Sequence, residues 1–473
     1  MKNTKYNRRD FLKLGSCGAM GTTTLFSTLA NLMVTNQLIA SQPASSINND
    51  YKALVCILLA GGNDSFNMLV PRGTNEYNEY ATTRSDLALT QNELLAINPL
   101  ISDGKEYGVH PSMGGVQQMF ENENLAFLAN VGTLIEPVAN ATEYFSGLKN
   151  LPLGLFSHSD QIQQWQTATP QSREAIGWGG RMADILQSGN TNQNISMNIS
   201  LSGRNVFQAG ETVLEYSISG NGVEGIERIN QGLSDTGFIN QIRDDGLHDI
   251  SSKMYSNIFK QTLGNISTNS LDALEEFQNA IAGVPEFNTQ FSETSLSAQL
   301  SMIAKTIAAR DALGMNRQTF FVTIGGWDHH DEVLNNQLFL LGIVNNAIQE
   351  FFDALGEIND KDKVTLFTVS DFGRTLTSNG NGSDHAWGGN TIIAGEAVKG
   401  KNIYGTFPDL YLQNNPLMIG NRGNLIPTTA ADLYFAELAL WFGISPNDLS
   451  LIFPNLTNFY SPGSSTPPLG FLL

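Results

Sequence analysis

Cysteine is nearly absent: Cys17 and Cys56 are the two in 473 residues. Cys17 falls in a targeting-type N-terminal segment, which leaves Cys56 without a partner, so no intramolecular disulfide can hold the fold. Basic residues are scarce too, 26 Lys and Arg against 45 Asp and Glu, giving a formal charge of −19. A surface of that sign repels phosphate backbones and anionic lipid and excludes nucleic acid as a partner. There is no G-x-y period and no internal repeat, which removes collagen and solenoid architectures. With 41% hydrophobic and 15% charged residues, the chain has the composition of a globular protein with a sizeable core.

The little positive charge present is concentrated at the front, in Lys2, Lys5, Arg8, Arg9 and Lys13. A mildly apolar stretch from Leu14 to Val34 follows, and then a polar Ser/Gln/Pro run, the three-part order of an export signal. Asn7-Arg8-Arg9-Asp10-Phe11-Leu12-Lys13 resembles the twin-arginine signal. Gly15, Gly18, Gly21 and Thr22 to Thr24 make the apolar stretch a costly lipid span. The expectation is a signal over residues 1–40, no stable membrane span after its removal, and a periplasmic or extracellular protein.

Over residues 41–473 short, continuously apolar runs alternate with helical patterns: 53–59, 125–129, 319–324, 364–369 and 391–394. Continuous rather than alternating hydrophobicity marks strands covered on both faces, so the fold class is α/β, a mostly parallel sheet flanked by helices. Between the third and fourth runs, Leu334, Leu338, Leu341, Val344, Ile348, Phe351 and Leu355 recur at helical spacing and predict a crossover helix over 333–358. The Asn-, Gly- and Ser-rich stretch at about 187–285 is expected to be an insertion or cap.

In such a sheet ligands sit beyond the carboxyl ends of the strands. The first run leads into Gly61-Gly62-Asn63-Asp64-Ser65, the third into Trp327-Asp328-His329-His330 and the fourth into Ser370-Asp371-Phe372-Gly373-Arg374. A further cluster, Ser383-Asp384-His385, precedes the fifth. Carboxylates with imidazoles suit a zinc- or manganese-like divalent metal, and Arg374 has the planar fork that holds phosphate or sulfate oxygens. Each of Asp64, Asp328 and Asp371 taken alone is better explained as a helix cap; the convergence of four clusters is what favours a site. Between the adjacent imidazoles His330 is preferred. His110 and His158 are as readily structural as functional.

The ordered set of a twin-arginine start, Gly61-Gly62-Asn63-Asp64-Ser65, His110-Pro111, Ser157-His158, Trp327-Asp328-His329-His330, Ser370-Asp371-Phe372-Gly373-Arg374-Thr375 and Ser383-Asp384-His385 resembles a widespread bacterial family of exported proteins. That family is grouped with the alkaline phosphatase and sulfatase superfamily. The resemblance implies an alkaline phosphatase/sulfatase-like fold with metal ligands among Asp64, Asp328, His330, Asp371, Asp384 and His385. It implies an anionic phosphate or sulfate ester as substrate. It departs where Asp371 is followed by Phe372 instead of His, and where Asp328 and His330 are closely spaced. Ser65 and Arg374 are the candidate catalytic residues, with Ser157 and Ser159 as other candidate nucleophiles. The alternative is an exported binding or assembly protein with a hydrolase-like fold and a degenerate site. Gly62-Asn63-Asp64-Ser65 also resembles a block of small esterases, whose partner motifs are missing.

Overall fold

The computed structural model describes residues 50–223 and 258–472, together with Asp245, Gly246, Asp249 and Lys253. The expected signal over residues 1–40 lies outside the described residues. The chain divides into two units, Ser46–Glu224 with Glu276–Leu473, and Met1–Ser45 with Gly225–Glu275. Of the second, the structure describes chiefly the early turns of the helix Ile258–Ala282. The sheet and the site belong to the first unit.

The apolar runs are strands. β1 (Lys52–Leu59) buries seven of its eight residues and β2 (Leu125–Gly132) buries all eight, as a strand covered on both faces must. β3 (Asn198–Ser200) and β4 (Tyr216–Ser217) come from the stretch expected as an insertion. β5 (Arg317–Ile324), β6 (Val364–Ser370) and β7 (Gly389–Ala394) follow, with short β8 (Ile403–Gly405) and β9 (Thr429–Ala430). The nine strands form one sheet in the order β8-β2-β7-β6-β1-β5-β3-β4, with β9 also on β2. β1 is central and parallel to both neighbours, Val55 lying between Phe320 and Leu366.

β7 is the antiparallel member, paired that way with both β2 and β6. A parallel return needs a crossover, usually a helix, and no helix falls between β6 and β7 among the described residues. The connection of residues 371–388 therefore stays at the edge where β6 ends, and all four candidate clusters lie at that one edge.

Helices cover both faces. α1 (Thr74–Arg84), α2 (Gly114–Glu121), α3 (His158–Thr167), α4 (Trp178–Leu186), α5 (Ser295–Ala308), α6 (Val333–Glu357) and α7 (Ala431–Phe442) are the ones that matter here. Leu54, Cys56 and Leu58 of β1 join a cluster with Trp178, Phe207, Phe367 and Phe435; Trp178 stacks on Phe435 at 4.7 Å. By strand alternation Val55, Ile57 and Leu59 bury on the opposite face. Burying each such side chain contributes roughly 1.5–3 kcal/mol. α6 is the crossover helix expected from the spacing. It is long and apolar enough to cross a membrane by composition, yet Leu341, Val344, Ile348, Phe351 and Leu355 are buried in the fold, as in a core helix of a globular domain.

Candidate metal centre

Three loops meet at the carboxyl ends of β1, β5 and β6, and two glycines permit the contact. Gly61 has φ +126°, and a Cβ there would stand 2.5 Å from the Asp328 nitrogen. Gly62, at φ +86°, would set its Cβ 2.5 Å from the Phe372 ring. Only glycine reconciles that conformation with that proximity.

Arg374, fully buried, ties the loops together. Its Nε donates to the Gly62 carbonyl at 2.9 Å, its Nη1 to the Ser383 carbonyl at 2.9 Å, and its Nη2 to Gly61 at 2.6 Å and Trp327 at 3.2 Å. Nη2 also donates to Asp328 Oδ1. The guanidinium is thus engaged by protein oxygens from each loop, and its strongest tie fixes Asp328.

Around Asp328 stand three imidazoles. His330 Nε2 lies 3.1 Å and His385 Nε2 3.4 Å from Asp328 Oδ1, and His158 Nε2 lies 3.5 Å from Asp328 Oδ2. The ligand atoms of His158, Asp328 and His385 all fall within 4.8 Å of one another. His330 joins on the outer side, its Nε2 at 3.0 Å from that of His385. On every ring the other nitrogen is already held. His158 Nδ1 is 2.7 Å from Asp371 Oδ2, His330 Nδ1 is 3.1 Å from Asp384 Oδ1, and His385 Nδ1 is 2.7 Å from the Phe156 carbonyl. A carbonyl or ionised carboxylate can only accept, so a ring hydrogen sits on each Nδ1, and in the neutral rings the Nε2 lone pairs converge on one carboxylate. Two facing lone pairs at 3.0 Å repel unless a cation lies between them. Two ligands on a tetrahedral ion with bonds of about 2.0–2.1 Å would be separated by about 3.3 Å, close to the spacings found.

The group is open to solvent on one side, with Asp328 47% and His330 46% exposed, while Phe372 packs beneath the His158 and His385 rings at 4.8 and 4.6 Å. Partial burial acts to raise the Asp328 carboxyl, but the hydrogen bond and charge of Arg374 bring it below the usual carboxylate range. Burial pushes Asp371 up despite the hydrogen bonds from Gly61 and His158. Burial, and then the Arg374 charge, lower His385 in spite of its bond to Phe156, a shift that favours the neutral ring. A neutral imidazole beside an ionised carboxylate is the protonation state a divalent metal requires.

The structure brings Asp328, His330, Asp371, Arg374, Asp384 and His385 together. Asp64 and Ser65 lie in the interior. Asp64 is wholly buried in an ion pair with Arg84, 2.6 Å from Nη2, and accepts from the Ser383 hydroxyl at 2.8 Å. The Ser65 hydroxyl, also buried, accepts from the Asn390 N–H at 2.7 Å. His329 is buried next to Trp327 and points away from solvent, so His330 is the one exposed beside Asp328. His110 is buried and bonded to Ser112 at 2.8 Å. The residue that sequence reasoning left unassigned is His158. It stands in the first turn of α3, and its partner Asp371 is 213 residues away.

Fold and site define an α/β protein with a carboxylate-centred histidine cluster at the carboxyl edge of its sheet. The chain belongs to the family described as protein of unknown function (DUF1501), whose model matches residues 51–449. No curated protein matches it significantly. Among solved structures it is similar to the zinc complex of the C-terminal periplasmic domain of EcEptC from Escherichia coli, at 8% identity over 75% of each chain, TM-score 0.29. It is similar to the PsFucS1 sulfatase from a Pseudoalteromonas species, at 10% identity over 88% of this chain and 70% of that one, TM-score 0.32. The soluble domain of lipooligosaccharide phosphoethanolamine transferase A from Neisseria meningitidis is 7% identical over 84% and 89% of the two chains, TM-score 0.31. Likeness at this level carries no functional argument.

Proposed function

We propose that the protein is an exported, metal-dependent hydrolase of phosphate or sulfate esters, with Asp328, His158, His385 and His330 as ligands of one divalent, zinc-like ion. The observation that supports this is the shared orientation of three imidazoles. Each gives its Nδ1–H to an acceptor and turns its Nε2 toward Asp328, the arrangement of metal-ligating histidines with their outer partners. When bound, such an ion lowers the pKa of water and neutralises anionic oxygen. The chain's own groups supply the rest: Asp371 and Asp384 set the imidazole tautomers, and Arg374 fixes Asp328. In this reading Arg374 acts by positioning, since its donors face protein oxygens, and the nucleophile is water, since Ser65 is turned inward. The ester class comes from the sequence resemblance, and export from the twin-arginine motif at Arg8 and Arg9.

The test is metal analysis of the purified mature chain, followed by hydrolysis of generic aryl phosphates and sulfates by wild type, Asp328→Ala and His158→Ala. About one bound divalent ion per chain, lost with turnover in both variants, is expected. Absence of metal uptake by the wild type refutes the metal centre. Metal uptake with equal residual activity in all three proteins supports the other reading, an exported binding protein, and removes the hydrolase.

A further inference from the structure

We propose that Phe156 is a positioning residue for His385, acting through its backbone carbonyl and not through its ring. This deepens the metal-centre reading and rests on it for its consequence, but not for its geometry. Phe156 has φ +71°, and it is the only aromatic residue with a positive φ among the described residues. A bulky side chain disfavours that conformation, and such outliers persist where their surroundings over-determine them. Two contacts do so here. The Ser157 N–H donates to the Gly154 carbonyl at 3.0 Å, closing a tight turn, and the Phe156 N–H donates to the buried Gln161 Oε1 at 2.6 Å.

With its N–H drawn back onto α3, the Phe156 peptide presents its carbonyl to His385 Nδ1 at 2.7 Å. The same turn ends at Ser157, directly before His158, the first residue of α3, so one backbone feature sets two imidazoles whose centroids are 4.4 Å apart. His158 and His330 take their tautomers from carboxylates; His385 takes its own from an uncharged carbonyl. The Phe156 side chain has a separate task, packing against the apolar cluster of Leu134, Val138, Trp387, Ile426 and Ala430.

Backbone and ring can be separated by two substitutions. Phe156→Gly removes the ring but adopts positive φ freely; Phe156→Val keeps apolar bulk but disfavours it. The probes are zinc titration against a competing chelator and the tautomer of His385 read by 15N NMR of the metal-free, histidine-labelled chain. The expected result is Nδ1–H on His385 in wild type and Phe156→Gly, with zinc affinity within about threefold. Phe156→Val should lose that tautomer and bind zinc roughly 10- to 100-fold more weakly, the usual consequence of losing a ligand's outer partner. An unchanged tautomer in Phe156→Val overturns the proposal, as does an equal loss in Phe156→Gly. If wild type takes up no zinc but the tautomer still follows this pattern, the metal centre fails and the positioning role stands.

Discussion

Asp371→Asn isolates the tautomer from the fold. The Asp371 side chain is 1% exposed and has two partners, the Gly61 N–H at 2.9 Å on Oδ1 and His158 Nδ1 at 2.7 Å on Oδ2. An asparagine of the same shape must offer its carbonyl oxygen to the Gly61 N–H, which can only donate. Its NH2 group then faces His158 Nδ1 and makes that nitrogen an acceptor. The ring hydrogen moves to Nε2, the atom 3.5 Å from Asp328 Oδ2, and the ligand is lost although every heavy atom stays in place. Zinc affinity should fall roughly 10- to 100-fold, or about 1.4–2.7 kcal/mol, in a chelator-competition titration. The metal-free fold should not suffer. Burial raises the Asp371 pKa above its unfolded value, so its contribution to stability declines as pH rises through that raised value. An amide has no such dependence, and metal-free Asp371→Asn should equal or exceed wild type in Tm at pH 8. Undiminished zinc affinity would refute the tautomer argument. Weaker binding accompanied by a Tm several degrees lower would show that the substitution had damaged the fold.

Three further outcomes follow from the same structure. Arg84→Ala leaves Asp64 buried and unpaired, since both side chains of that ion pair are fully buried; urea unfolding should show a loss of about 3–5 kcal/mol, and a loss under about 1 kcal/mol would contradict the pairing. Asp432, in the first turn of α7, has its carboxyl pushed up to about 8 by burial, against the opposing charge of Arg181. Wild type should therefore lose stability relative to Asp432→Asn as pH rises from about 4 to 8, with a slope of at most about 1.4 kcal/mol per pH unit; parallel stability curves would show that Asp432 is not held protonated. Zinc in hundredfold excess over its Kd should stabilise the fold by about 2.7 kcal/mol, visible as a Tm increase that EDTA reverses and His158→Ala abolishes.

The strands were legible because their signal is local. A strand sealed on both faces must be apolar throughout, so β1, β2, β5, β6 and β7 each stand out in the sequence, and the spacing of α6 needs only its own residues. The placement of chemistry after strand ends was legible for a related reason: Asp328, His330, Asp371, Asp384 and His385 follow or precede apolar runs, and a sheet edge gathers such loops. Asp64, Ser65 and Arg374 carry the same local signature, and nothing in it distinguishes a side chain that faces solvent from one turned inward. That distinction depends on what packs above the loop, here Arg84, Asn390 and the three carbonyl-bearing loops around Arg374.

By itself the sequence determined an acidic α/β chain, its strand positions, and the residue types available at one edge of the sheet, because composition and periodicity act within a few residues. Tertiary structure alone decided that β7 runs antiparallel, that His158 meets Asp371, and that the Phe156 carbonyl meets His385. Hydrogen bonds act over about 3 Å of space and carry no trace of the hundreds of residues separating their partners along the chain.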